Sequence, residues 1–147
     1  MRKLFQACLF VLLAGAGTAS ALDYGAVASS SAILYDSPST QGKKLYVVSR
    51  YTPLELVVRL SGWVKVRNQD GSLAWVQQSD LGSQRYVVVT DALAQVRQRP
   101  THDAPVVFQV RRQVALELQR DTGAGWLAVR ALNGASGYVR ANAVWGD

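Results

Sequence analysis

The sequence predicts an all-β protein made of one unit repeated twice, and three observations carry that expectation. The stretch Gly62-Trp63-Val64-Lys65-Val66-Arg67 contains the apolar/polar alternation of a half-buried strand. Asn68-Gln69-Asp70-Gly71-Ser72 follows as a loop, and Leu73-Ala74-Trp75-Val76 returns as a second arm, so each arm of the hairpin carries a tryptophan. Asp-Gly is a strong hairpin signal because glycine accepts positive φ at no steric cost. Second, the same stretch recurs 63 positions on, as Gly125-Trp126-Leu127-Ala128-Val129-Arg130, with Asn133-Gly134 for the turn and Gly137-Tyr138-Val139 for the return arm. Third, valine is abundant and turn residues recur every few positions, with no long helical period, heptad or low-complexity tract.

At the N-terminus, Met1-Arg2-Lys3 precedes an apolar stretch, residues 4–16, broken mainly by Gln6 and Gly15, and then small residues ending in Ala19-Ser20-Ala21. This is the layout of a secretory signal peptide over residues 1–21, cleaved after Ala21 with Ala19 as the alternative. The apolar run falls short of the ~20 residues needed to span a bilayer. No transmembrane segment is therefore expected once the signal is removed. Cys8 lies inside the apolar run rather than at its end, so it reads as part of the signal and not as a lipidated cysteine. The mature chain, residues 22–147, then has no cysteine and must be stabilised by packing. The periplasm is the expected location, with secretion as the alternative.

Loss of Arg2 and Lys3 lowers the formal charge from +6 to +4. The remaining positive charge is mostly arginine spread through both halves, without an arm of like charges. That balance suits anionic wall polymers or acidic lipid head groups as well as ordinary solubility.

In the first unit, residues 22–82, Tyr24 and the small polar residues up to Ser31 read as a lead-in. Ala32-Ile33-Leu34-Tyr35 is a short strand, and the run from Asp36 to Gly42 is a loop by its Ser, Pro and Gly content. Leu45-Tyr46-Val47-Val48 is a second strand. Thr52-Pro53 turns into a third, with Leu54, Leu56 and Val58 assigned to one face. Ser61-Gly62 leads into the hairpin, and Ser79-Asp80-Leu81 closes the unit as one helical turn. Residues 83–91 connect the units as a strand or linker. The run Tyr86-Val87-Val88-Val89 is too apolar for a free linker and reads as a strand packing the two units together. In the second unit, residues 92–147, the stretch Ala94-Gln95-Val96-Arg97 to Pro100 repeats residues 32–38, and Leu116-Glu117-Leu118 repeats Leu54-Glu55-Leu56. Ala143-Val144-Trp145 closes it.

This order resembles the bacterial Src-homology-3-like (SH3b) domain. The resemblance rests on Val96-Arg97 with Pro100, Gly125-Trp126-Leu127-Ala128-Val129-Arg130, Gly134, Gly137-Tyr138-Val139 and Ala143-Val144. The first copy departs from it. Leu34-Tyr35-Asp36 stands where a Val-Arg pair is usual, and Ala74 where glycine is usual. The resemblance implies two tandem SH3-like small β-barrels in an exported bacterial protein, often a wall-binding or targeting module.

Little in the sequence suggests catalysis. His102 sits between Pro100 and Pro105, and the adjacent Asp103 could not orient its imidazole toward a serine. One histidine cannot make a zinc site, the carboxylates are scattered singly, and no glycine-rich phosphate loop is present. The expectation is a non-enzyme with no cofactor and no metal. What remains is binding. The ligand-contact candidates are Arg97, Arg99, Tyr138, Trp126, Trp75 and Tyr35, because aromatic faces stack on sugar rings and arginine grips carboxylates with paired hydrogen bonds. Trp63 and Trp126 equally suit a core-capping role. Arg111, Arg112, Arg130 and Arg140 are further cations that could meet peptidoglycan carboxylates. The expected partner is cell-wall peptide or glycan, bound by the second copy. The alternative is an envelope scaffold docking to a protein, motivated by the apolar run at residues 86–89 and by Val144-Trp145. Nucleic acid is not expected, because export argues against it.

Overall fold

The computed structural model describes residues 22–147. The expected signal peptide lies outside the described residues. Unit one consists of β1 (Tyr24–Val27), β2 (Ser31–Tyr35), β3 (Lys44–Ser49), β4 (Pro53–Leu60), β5 (Trp63–Arg67), β6 (Leu73–Gln77), a 3₁₀ turn at Gln78–Asp80 and β7 (Leu81–Gly82). Unit two repeats it as β8 (Tyr86–Val89), β9 (Leu93–Arg97), β10 (Val106–Arg111), β11 (Ala115–Asp121), β12 (Trp126–Arg130), β13 (Ser136–Arg140), a 3₁₀ turn at Ala141–Ala143 and β14 (Val144–Trp145). The strand orders are β3-β2-β6-β5-β4-β1-β7 and β10-β9-β13-β12-β11-β8-β14. The protein is thus all-β, with two tandem SH3-like units, and its strand pairings are antiparallel. Among the described residues no helix is long and apolar enough to cross a membrane.

Neither sheet is hydrogen-bonded shut, which corrects the closed barrel that the resemblance implied. Each sheet instead curls over its core. Val48 from the edge strand β3 and Leu81 from the opposite edge β7 pack on the same cluster, around Leu34, Leu54, Val64, Val66 and Val76. Unit two has the matching cluster, with Val96, Leu116, Leu127, Val129 and Val139 at its centre.

The hairpins form as their alternation requires. Val64 and Val66 are fully buried while Lys65 and Arg67 are half-exposed, and the register runs from Trp63 opposite Gln77 to Arg67 opposite Leu73. The loop closes when the Asn68 amide donates to the Ser72 carbonyl at 2.9 Å, with Gly71 at φ 86°. The Asp70 carboxylate accepts from the Ser72 amide and hydroxyl, and the hydroxyl bond holds its pKa below the usual range. Gly134, at φ 92°, occupies the same place in the second hairpin.

Two expectations need correction. Residues 24–27 are not a lead-in: they form β1, paired with β4 and β7, and all four residues are buried. Tyr86–Val89 is a strand as expected, the equivalent of β1 in unit two; it pairs with β11 and β14 in its own sheet, while Tyr86 meets Tyr51 of unit one. In β4, the face assigned to Leu54, Leu56 and Val58 is interrupted. A bulge between Leu56 and Val58 shifts the register, so Leu54 is fully buried and Val58 is exposed.

The units meet through aromatic side chains. Tyr24 and Trp145 form an edge-to-face pair at 5.3 Å, and Tyr51 and Tyr86 lie 4.6 Å apart. Arg85 donates to the Gly146 carbonyl at 2.8 Å, and its guanidinium carbon is 5.4 Å from the Tyr24 ring centre. Burial raises the pKa of Tyr24. Gly146, at φ 113°, has no room for a side chain, because a Cβ there would lie 2.7 Å from the Pro53 Cβ.

Candidate functional site

In unit two, four segments converge on a cleft of about 220 Å³. The end of β9 contributes Gln95 and Arg97, the loop 98–105 contributes His102, and the paired positions Trp126 on β12 and Arg140 on β13 face them, with Asp91 and Asn142 also at the wall. The pairing explains the contact: residues directly opposite in an antiparallel ladder bring their side chains together. The Arg140 guanidinium carbon accordingly sits 5.8 Å from the Trp126 ring centre, close enough for cation–π attraction. His102 packs edge-on against Trp126 at 5.4 Å, and Arg140 Nη1 lies 2.6 Å from His102 Nε2. A guanidinium can only donate, so His102 Nε2 is the accepting partner of that contact.

Arg97 is employed within the fold. It donates from Nη1 to the Ala104 carbonyl and from Nη2 to Gln95 Oε1, both at 2.7 Å. It thereby pins the loop carrying His102 over the cleft, and Ala104 is buried beneath. Tyr138, half-buried, lies opposite Arg97 on the neighbouring strand, and Arg99 is exposed where the loop begins. Of the other arginines, Arg130 is tied to Glu117 at 2.6 Å, whereas Arg111 and Arg112 are exposed.

Unit one fills the equivalent place with aromatic carbon. Tyr35, 4% exposed, stands where Arg97 stands in the second unit, and its ring meets Trp63 edge-on at 5.5 Å. Trp75 is half-buried beside it, with Lys65 Nζ 5.9 Å from its ring centre. The structure therefore brings Arg97 and Trp126 together, puts Tyr138 beside them, and places Trp75 and Tyr35 together in the other unit. It also recruits His102, which the sequence treats as a bland loop residue. No local pattern marks it, because its partners come from strands more than 20 positions away.

Gly137 stands beside Tyr138, where a glycine can leave space for another backbone to approach. The space is taken by the protein itself, since a Cβ at residue 137 would lie 2.7 Å from both the Arg97 carbonyl and Val96 Cγ1. A Gly137→Val variant is therefore expected to part β9 from β13 and lose about 1–3 kcal/mol of stability, measurable as a lower denaturant midpoint. An unchanged midpoint would show that β9 can move aside freely.

A second and larger concavity, about 650 Å³, lies between the units. One wall is the strand β3, and the other includes Gln113 and Trp145 of unit two. The sequence offers no signal for it, because it exists only once the two units are docked. Among the described residues no group of three or more His, Cys, Asp or Glu is placed to hold a metal ion.

Comparison with known families gives two matches to the bacterial SH3 domain, over residues 28–82 and 90–146. The chain belongs to the bacterial SH3 domain family. Each match spans one of the two sheets apart from its first strand: β1 precedes the first match and β8 the second. No curated protein matches the chain. Among solved structures, it is similar to NlpC2 from Trichomonas vaginalis, with 11% identity and a TM-score of 0.40 over 86% of this chain and 49% of that one. It is similar to NlpC1 from the same organism, at 14% identity and a TM-score of 0.41, over 95% and 51%. An NlpC/P60 family protein from Bacillus cereus matches at 16% identity and a TM-score of 0.39, over 84% and 56%. The tandem SH3 chain thus spans about half the length of these structures.

Proposed function

We propose that this protein is an exported, non-catalytic binding module of the cell envelope, located in the periplasm, which recognises an acidic peptide of the cell wall through its second SH3 copy. Membership of the bacterial SH3 domain family supports the binding role. The observation that carries the ligand class is the exposed Arg140, which lies against Trp126 and is in none of the ion pairs of the described residues. A carboxylate offers a guanidinium two parallel, charge-assisted hydrogen bonds in place of one bond to an imidazole. Arg140 can turn to such a group while Arg97 keeps the His102 loop in place, and Trp126 then meets the carbon chain or sugar attached to it.

Titration of the ¹⁵N-labelled protein with a soluble peptidoglycan stem peptide tests this reading. Shifts are expected at the Trp126 indole and around His102, Arg140 and Tyr138. An Arg140→Ala variant should bind at least tenfold more weakly, as loss of a charged hydrogen bond of about 1.5–3 kcal/mol implies. Shifts confined to Trp63 and Trp75 would move the site to the first copy. No saturable shift with either the stem peptide or intact wall fragments would refute wall recognition.

A further inference from the structure

The envelope-scaffold alternative was motivated by apolar edges at residues 86–89 and 144–145. Those positions are not free edges: Val87, Val89 and Val144 are buried, and Trp145 packs on Tyr24. The exposed edge lies elsewhere. β3 ends the sheet order of unit one, and among the described residues β2 is its only ladder partner. Its residues are mostly exposed, Val47 by 71%.

Five consecutive residues, Tyr46 through Arg50, line the cleft between the units. Side chains of a strand alternate between faces, so a run of consecutive residues lines one cleft along the strand's edge, where its unpaired N–H and C=O groups point. An unpaired backbone row is a template for another extended chain. At about 3.3 Å per residue, the four of them that belong to β3, Tyr46 to Ser49, offer an edge about 13 Å long. Trp145 and Pro53 supply apolar surface nearby, and Gln69 and Gln113, joined at 3.3 Å, link the units.

Charge specifies the occupant further. Lys44 and Arg50 bracket the edge, and neither is among the ion pairs of the described residues. Arg50 has only a 3.4 Å bond to the Ser29 carbonyl and a Tyr51 ring 6.0 Å away. Asp70 lines the cleft too and keeps its negative charge under the Ser72 hydrogen bonds, so the cations that can meet an acidic group are the two at the ends of the edge. We infer that β3 accepts an extended, acidic-ended peptide segment of a protein partner as an added strand, in the cleft between the two SH3 copies. The backbone ladder supplies the attachment, Tyr46, Val47 and Trp145 select apolar side chains, and Lys44 and Arg50 select acidic ends.

The probe is a blocked hexapeptide of alternating threonine and valine ending in two glutamates, titrated into the ¹⁵N-labelled protein. Shifts are expected at the amides of residues 46–49 and at the Trp145 indole. N-methylation of alternate peptide amides should weaken binding at least tenfold, because it removes ladder donors. Val47→Glu should weaken binding at least tenfold by repelling the acidic end, without unfolding the protein, as the side chain at this position is largely solvated. Arg50→Ala, or lysines in place of the glutamates, should weaken binding about fivefold. Equal binding of the N-methylated peptide would overturn strand addition. So would shifts confined to β10, the free edge of the other copy, or peptide-independent dimers that Val47→Glu disrupts, which would make a second copy of this chain the occupant. The readouts lie in unit one and the cleft, so this outcome is separable from wall-peptide binding at Trp126 and Arg140.

Discussion

Replacing Trp126 with alanine is expected to destabilise the second SH3 copy by about 3 kcal/mol, the lower end of the range for a buried tryptophan. Trp126 is 7% exposed, but it lies outside the main apolar cluster of its unit. Its cover is the His102 ring and the Arg140 guanidinium, which lie against each other on the same side of the indole. Both belong to side chains that can settle into the vacated space, which limits the cavity and keeps the cost low within the range. The loss is still a large share of the 5–15 kcal/mol that holds a typical domain folded. Denaturant unfolding followed by the remaining tryptophans would measure it. An unchanged transition would mean that Trp126 is spare surface, available to ligand and unimportant to folding.

Leu54→Ala should cost about 2–5 kcal/mol, and the damage should begin in unit one. Leu54 is fully buried on β4 opposite Gly25 of β1, at the centre of the first cluster. Truncation leaves a cavity that rigid strands on both sides cannot close. The aromatic contacts between Tyr24 and Trp145 and between Tyr51 and Tyr86 tie this unit to its neighbour. Hydrogen exchange should therefore show the largest loss of protection in β1, β4 and β5, with a smaller loss in β8 and β14 across the junction. Equal protection of unit one in the variant and the parent would contradict the packing described. A loss in unit one with none in β8 would show that the units fold independently.

The hairpins were legible because everything that specifies them is local. Val64 and Val66 alternate with Lys65 and Arg67, and Gly71 accepts the positive φ of the turn. The SH3 family pattern rests on the same residues, which is why two copies could be recognised before any geometry was known. β1 was not legible. Tyr24-Gly25-Ala26-Val27 is buried throughout, so it shows no alternation, and its partners β4 and β7 lie far along the chain. The interrupted face of β4 escaped for a related reason: the bulge at Leu56 and Val58 depends on how β4 pairs with β5, and that register is absent from a hydropathy pattern.

The binding surfaces divide in the same way. The aromatic and arginine composition of unit two was visible, including Arg97, Trp126 and Tyr138 as candidates. That Arg97 spends its guanidinium on Ala104 and Gln95, while His102 and Arg140 cover Trp126, follows from the folding-over of a proline-flanked loop. Sequence alone determined the all-β class, the duplication and the hairpins, because short-range alternation and turn stereochemistry are properties of neighbouring residues. Tertiary structure alone decided which strand edge stays unpaired, which arginine stays free, and that a cleft opens between the units, because each depends on contacts between segments that the chain order keeps apart.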